Sequence, residues 1–300
     1  MIVVMGATGN TGSVVATRLL DRKAKVRVLG RNADRLAPLT RRGAEAAVAD
    51  VTSADSLTPA FRGATAVYAL VPPNYRSPDP LGHYRGVGDA IARAIEAAGV
   101  RRLVFLSSLG AELPSGTGPI QGLHAVEERL RNVPGLDLLI LRPSYFFENH
   151  FGSLGLIKAQ GVNGGALAPD AAFPQVAAED IGAAAADALG AGDFSGVSVH
   201  ELLGPRDLSP AEATRIIGKA IGKPDLAYVQ FPDEGFIAGM EQAGFGRPTA
   251  ELFVEMSRAL SGGRVRSLEG RNARNTTPTT FEAFVEKKLA PAYRGQANET

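Results

Sequence analysis

MIVVMGATGNTG, residues Met1 to Gly12, decides the fold. Ile2, Val3, Val4 and Met5 form a short apolar run with β-branched residues, which suits a strand buried on both faces. Glycines follow at Gly6, Gly9 and Gly12, and Ser13 to Leu20 then repeats its apolar positions at helical spacing. Strand, tight glycine turn and helix together aim backbone N–H groups and a helix N-terminus at a phosphate. Gly6 permits the turn, Gly9 lets the backbone approach a pyrophosphate, and Gly12 lets helix and strand pack closely. Asn10 and Thr11 add donors. The stretch therefore reads as a dinucleotide-binding turn; the alternative is a glycine-rich turn that binds nothing.

Arg31 ends the second predicted strand, Lys25 to Gly30, and Arg35 lies one turn further on. An acid at this place would hold a ribose 2′-hydroxyl, whereas an arginine accommodates a 2′-phosphate, so the pattern favours NADP(H) over NAD(H). A third strand over Ala44 to Val48 ends at Asp50 and Val51, where Asp50 faces an adenine edge or simply forms the turn before a helix capped by Ser53. Ala66 to Val71 is a fourth strand that stops at Pro72, with Leu70 and Val71 at its end. A helix from Leu81 to Ala98 stops at Gly99, and Arg102 to Leu106 forms the fifth strand, ending in Ser107 and Ser108. A helix over Gly122 to Asn132 leads to a sixth strand, Leu136 to Leu141, which ends at Arg142 and Pro143. Strands alternating with helices predict an α/β fold: a Rossmann-type, doubly wound parallel sheet. Ligands of such sheets bind at the carboxyl ends of the strands, and the candidate residues all collect there.

Beyond Asn149 the rhythm changes. Glu179 to Leu189 reads as an Ala-rich helix ended by Gly190, and Val197 to Leu203 as a strand returning to the sheet. Ser209 to Glu212 forms a capping box for a helix to Ile221, Thr249 caps a helix through Leu260, and Thr280 opens a last one. This divides the chain into an NADP-binding domain over residues 1–150 and a smaller, mostly helical substrate-binding lobe over 151–300.

The 300 residues are 45% hydrophobic with a net charge of +1, which gives no electrostatic case for a nucleic-acid or membrane partner. The arginines at 264, 266, 271 and 274 have no aromatic partners and read as a solvated loop. The absence of cysteine excludes disulfides, thiolate catalysis and Cys-ligated metals, and the four histidines are not spaced as metal ligands. No run spans a bilayer and none reads as a signal peptide, so a cytoplasmic protein acting on a small molecule is expected, with a homodimer as the possible assembly. The tail, Arg294 to Thr300, is polar and expected to fray.

GATGNTG at 6–12, Arg31, LVFLSSLGA at 103–111 and LRPSYFFEN at 141–149 resemble the NmrA-like group of atypical short-chain dehydrogenases. HAVEERL at 124–130 and EDIGAAAADAL at 179–189 look most like its type 2 quinone oxidoreductases. The resemblance covers nearly the whole chain. It implies NADP(H) contacts at Gly6, Thr8, Gly9, Asn10, Thr11, Gly12, Arg31 and the later strand ends, and places Tyr145 to Asn149 beside nicotinamide and substrate. One departure stands out. Most short-chain dehydrogenases use a serine with Tyr-x-x-x-Lys, and no such pair exists in this chain. Ser107 or Ser108 could fill the serine slot, but no lysine is placed to lower a tyrosine pKa.

The candidates for chemistry are therefore His124, Ser107 and Tyr145, with Tyr145, Phe146, Asn149 and His124 as substrate contacts. Each has a structural alternative: His124 as an i,i+4 partner of Glu128, and Tyr145 with Phe146 as core. The expected activity is reduction of a quinone or a similarly activated apolar acceptor by NADPH. A non-catalytic NADP(H) sensor, or an imine or enone reductase, remain as alternatives.

Overall fold

The computed structural model describes residues 1–296. A seven-stranded parallel sheet forms its centre, in the order β10-β6-β5-β4-β1-β2-β3. The strands are Ile2–Met5 (β1), Val26–Gly30 (β2), Glu45–Val48 (β3), Ala66–Ala69 (β4), Arg102–Leu106 (β5), Asp137–Pro143 (β6) and Val197–Leu202 (β10). The expected return of residues 197–203 to the sheet is observed: β10 pairs with β6 from Val197 opposite Leu138 to Leu202 opposite Pro143.

Alternation along the strands divides the core into two layers. Val3 and Met5 of β1, Val67 and Ala69 of β4, and Leu103 and Phe105 of β5 face one side. That layer is covered by helices Ala54–Phe61 (α3), Pro80–Ala98 (α4) and Ile120–Arg131 (α5). Val4, Tyr68 and Val104 face the other, beneath Asn10–Asp21 (α1), Ala33–Thr40 (α2) and Ala178–Ala191 (α7). Successive strand side chains point to opposite faces, so every central strand must be apolar throughout. The small residues of α7 let it lie close on α1: a Cβ at Gly182 would sit 2.6 Å from Val14 Cβ. Gly99, in the left-handed conformation, ends α4 as expected, but α7 runs one turn-step past Gly190 and is ended by Gly192.

The rest of the chain stands at the carboxyl end of the sheet. Tyr145–Phe146 (β7), Phe173–Val176 (β9) and Asp207–Leu208 (β11) make a small sheet, and Asn163–Gly165 (β8) pairs with Tyr228–Gln230 (β12). Leu154–Gln160 (α6), Pro210–Ala220 (α8), Asp233–Gln242 (α9) and Arg247–Ser261 (α10) pack around them, with Phe281–Phe284 (α11) continuing through a π-helical turn to Ala290–Tyr293 (α12).

Three local expectations change. Ser209 Oγ accepts from the Glu212 N–H, but the Glu212 carboxylate pairs with Arg206 instead of reaching back, so only half of the capping box forms. Thr249 does not cap α10. The helix begins earlier, at Arg247 after Gly246, and Thr249 lies inside its first turn. Of the tail expected to fray, Arg294 is held, its Nη2 donating to the Ala220 carbonyl at 3.0 Å, and residues 297–300 lie outside the described residues. Among the described residues no helix is long and apolar enough to cross a membrane, and no cluster of metal-ligating side chains is present.

Candidate active site

The β1–α1 turn has the form a phosphate requires. Gly6 has φ +61°, a left-handed conformation that side chains other than glycine rarely adopt, and its carbonyl accepts from the Gly9 N–H at 2.8 Å. A Cβ at Gly12 would be driven into the Gly6 peptide, 2.7 Å from its carbonyl carbon, so only glycine lets α1 start this close to the strand. No side chain caps α1, and the N–H groups of Asn10, Thr11 and Gly12 have no partner among the described residues. Thr8, Gly9 and Asn10 are exposed. This is an open cradle of donors at a helix N-terminus, and the residues fit a dinucleotide pyrophosphate. The Thr11 side chain has a different task. Its Oγ1 accepts from the buried Tyr68 hydroxyl at 2.8 Å, tying the start of α1 to β4.

Arg31 and Arg35 are exposed at the end of β2 and the start of α2. Asp50 takes the turn role, its Oδ1 accepting from the Thr52 N–H and hydroxyl, which holds its pKa below the ordinary value. Ser53 caps α3, and Val51 packs against the core layer beneath it. Leu70 touches the glycine turn, where a Cβ on Gly6 would be 3.1 Å from Leu70 Cδ2. The carbonyl of Pro72, just past Val71, accepts from His83 Nε2 at 2.8 Å, which fixes the path of the chain beyond β4.

A cavity of about 240 Å³ opens beyond the ends of β5 and β6. Ser107, Ser108 and Leu109 form one wall and Ser144, Tyr145, Phe146 and Asn149 another. Phe253, Met256 and Leu260 of α10 close it from above, and Tyr84 of α4 reaches its side. The structure thus brings five predicted residues together: Ser107, Ser108, Tyr145, Phe146 and Asn149. Pro143 lies just before this wall as the last residue of β6, and the glycine turn, Arg31, Arg35, Asp50 and Leu70 to Pro72 sit along the same sheet edge outside the cavity.

His124 is not among the lining residues. It does not pair with Glu128 either: its Nδ1–H donates to the Ala111 carbonyl at 2.9 Å, and Glu128 faces Arg131. The helix begins at Ile120, so His124 sits in its second turn, where it tethers the loop after β5.

Ser107 is engaged on its inner side. Its hydroxyl donates to Glu127 Oε1 at 2.6 Å, and the same carboxylate takes Nε and Nη2 of Arg142 at 3.0 and 2.6 Å. Arg142 also reaches Glu112 at 3.1 Å, and Arg131 reaches Glu127 at 3.2 Å. Both Glu127 and Arg142 are buried, so this paired cluster fixes the ends of β5 and β6 beside the cavity. The Ser107 proton is held by a carboxylate, away from the cavity.

Tyr145 keeps its proton as well. Burial pushes its phenol up to about 12, against a smaller opposing effect of the Asn149 side chain. Tyr84 is likewise pushed up to about 12, first by burial and then by Tyr75. No charged side chain lines the cavity. Ser144, which the sequence reading passed over, is the exception to this settled pattern: its Oγ is buried in the wall with no hydrogen-bond partner. Glu148, four residues on, faces away and accepts from the Ala178 N–H at the start of α7 at 3.0 Å.

Residues 6–191 match the family described as NAD(P)H-binding. The chain is 32% identical over 285 residues to the (4-alkanoyl-5-oxo-2,5-dihydrofuran-3-yl)methyl phosphate reductase of Streptomyces griseus, covering 91% of this chain and 94% of that one. It is 28% identical to an NAD(P)H azoreductase of Xenophilus azovorans, covering 85% and 86%. Its fold is similar to that of an NADPH-dependent quinone oxidoreductase of Escherichia coli, with a TM-score of 0.74 at 22% identity over 100% of this chain and 96% of that one.

Proposed function

We propose a function from one premise: the chain belongs to the NAD(P)H-binding family, in its NmrA-like branch of atypical short-chain reductases, and is an NAD(P)H-dependent oxidoreductase. On that premise it reduces a flat, conjugated, apolar acceptor, a quinone or a compound activated like one, with NADPH as the preferred donor. The turn from Gly6 to Gly12 holds the pyrophosphate, and Arg31 with Arg35 faces the 2′-phosphate. When bound, NADPH supplies the hydride, and reduction of a quinone then takes one proton from solvent to give the hydroquinone.

One observation carries this reading: the cavity has polar groups but no acid. The Ser107 hydroxyl donates its hydrogen bond to Glu127, and Tyr145 is a phenol at about 12 with no lysine to lower it. Reduction of a simple ketone builds charge on one oxygen and gains roughly 10²–10⁴-fold from a positioned acid. A quinone spreads that charge over its ring and does without one. The apolar walls from Leu109, Phe146, Phe253 and Met256 orient the ring and exclude water, while Asn149 supplies a hydrogen bond. The acceptors in the names of the relatives, an oxo-dihydrofuran, an azo compound and a quinone, share this activated character. NADPH oxidation against a panel of quinones, enones, azo dyes and aliphatic ketones tests the reading.

A further inference from the structure

Tyr84 stands in the second turn of α4, and its ring lies against α5. A Cβ at Gly122 would come within 2.6 Å of Tyr84 Cγ and 2.8 Å of its Cβ and Cδ2, so the glycine leaves a seat that fixes the base of the ring. Ile120 and Leu123, on either side of Gly122, line the main cavity together with Tyr84. The Tyr84 hydroxyl is uncommitted. Burial and the nearby Tyr75 shift its pKa, and no hydrogen bond contributes. Nor is it one of the sealed, unpaired side-chain atoms among the described residues, which belong to Arg102, Thr117, Ser144, Thr249 and Thr277. A hydroxyl that is unbonded and not sealed opens onto the space its ring lines.

The other hydroxyls of the main cavity wall are spent. Ser107 donates to Glu127, Ser108 donates to the Leu109 carbonyl at 2.9 Å, Ser144 Oγ is shut off, and Tyr145 interacts with the Asn149 side chain. We propose that Tyr84 is a binding residue of the main cavity, whose hydroxyl donates a hydrogen bond to a carbonyl oxygen of the acceptor. This rests on the reductase reading above and deepens it: the acceptor is held by an oxygen on its ring as well as by its flat apolar faces. Tyr84 keeps its proton throughout. As hydride reaches the acceptor ring, negative charge gathers on the ring oxygens, and a hydrogen bond to a charged oxygen contributes more than one to a neutral oxygen. The bond therefore tightens in the transition state, while the proton that completes the hydroquinone still comes from solvent. On its other side Tyr84 borders a separate cavity of about 130 Å³ with Tyr75 and Phe253, and a hydroxyl turned into that space would leave the acceptor untouched.

The test titrates 1,4-naphthoquinone, and naphthalene as the same rings without oxygens, onto the NADP⁺-loaded protein by calorimetry, for wild type and Tyr84→Phe. The oxidised cofactor has no hydride to give, so binding is read without turnover, and the chain has no cysteine for the quinone to alkylate. Tyr84→Phe keeps the ring on its Gly122 seat, so the thermal midpoint and the NADPH Kd should hold. The expected result is a naphthoquinone Kd raised about 3- to 10-fold in the variant with the naphthalene Kd unchanged. Quinone reduction by NADPH should lose at least the same factor in kcat/KM. If no quinone is reduced but naphthoquinone still binds wild type more tightly than Tyr84→Phe, the Tyr84 assignment stands and the reductase reading falls. Equal naphthoquinone affinity of wild type and variant, an equal loss for naphthalene, or no binding of naphthoquinone to wild type overturns the assignment.

Discussion

Removing Glu127 should destabilise the fold more than any other single substitution beside the cavity. Its carboxylate is 1% exposed and accepts from Ser107 Oγ, twice from Arg142 and once from Arg131. Glu127→Leu keeps the volume but leaves the Arg142 guanidinium buried with its main counter-charge gone. Breaking a buried pair from one side costs about 3–5 kcal/mol. Arg142 retains Glu112 at 3.1 Å, which lowers the cost, and the orphaned Ser107 hydroxyl adds roughly 1 kcal/mol. The net expectation is a loss of about 3–4 kcal/mol in urea unfolding and a fall in Tm of roughly 5–6 °C. Arg142→Met in the same chain removes the uncompensated charge, so the double variant should recover about 2 kcal/mol relative to Glu127→Leu. A loss below about 1 kcal/mol for Glu127→Leu, or a double variant equal to the sum of the singles, would refute the coupling.

Arg31→Ala should weaken NADPH binding about 10- to 100-fold and leave NADH nearly unchanged, because a hydrogen bond to a charged phosphate contributes roughly 1.5–3 kcal/mol; equal losses in calorimetry would remove Arg31 from the 2′-phosphate. Gly9→Val should abolish NADPH binding with the fold intact, since Gly9 is exposed and a Cβ there meets only the Gly6 oxygen at 3.3 Å, whereas Gly12→Ala should lower Tm as well; circular dichroism and calorimetry on both variants separate the two. Burial holds the His150 pKa below its ordinary value, opposed by the bond its Nε2 donates to Gln175 at 2.9 Å. The unfolded chain then takes up a proton that the folded one refuses, so stability falls as pH drops below about 6.5, and His150→Gln should flatten that slope between pH 7 and 5. Parallel slopes for wild type and variant in urea unfolding would show that His150 is not the source.

The sheet was legible because its signals are local. Ile2 to Met5 is apolar throughout, the glycines at 6, 9 and 12 stand at a spacing only a close strand–helix turn needs, and Gly99 and Thr280 mark helix ends by conformation and capping. The alternation of Val3 and Val4 between the two core layers follows from the strand period alone. The start of α10 was also written in the sequence, since Pro248 belongs in a first helical turn, and the pull of Thr249 as a capping residue masked it. Other features had no local signal. The His124 bond to the Ala111 carbonyl, the Ser107–Glu127–Arg142 cluster and the approach of α10 to the cavity all join segments far apart in sequence. The strands of the small sheets are two to four residues long, too short for a period to show. Ser144 and Thr249 are ordinary hydroxyls by sequence, and only burial without a partner distinguishes them.

The claim that this cavity carries no dedicated acid is tested most directly by NADPH oxidation with a small quinone and with a simple aliphatic ketone, on wild type, Ser107→Ala and His124→Ala. Quinone turnover should be measurable, ketone turnover negligible, and each variant should keep its quinone rate within about 10-fold, since neither residue supplies a proton. Ketone reduction at a rate comparable to the quinone, or a loss of about 10³-fold in either variant, would contradict it.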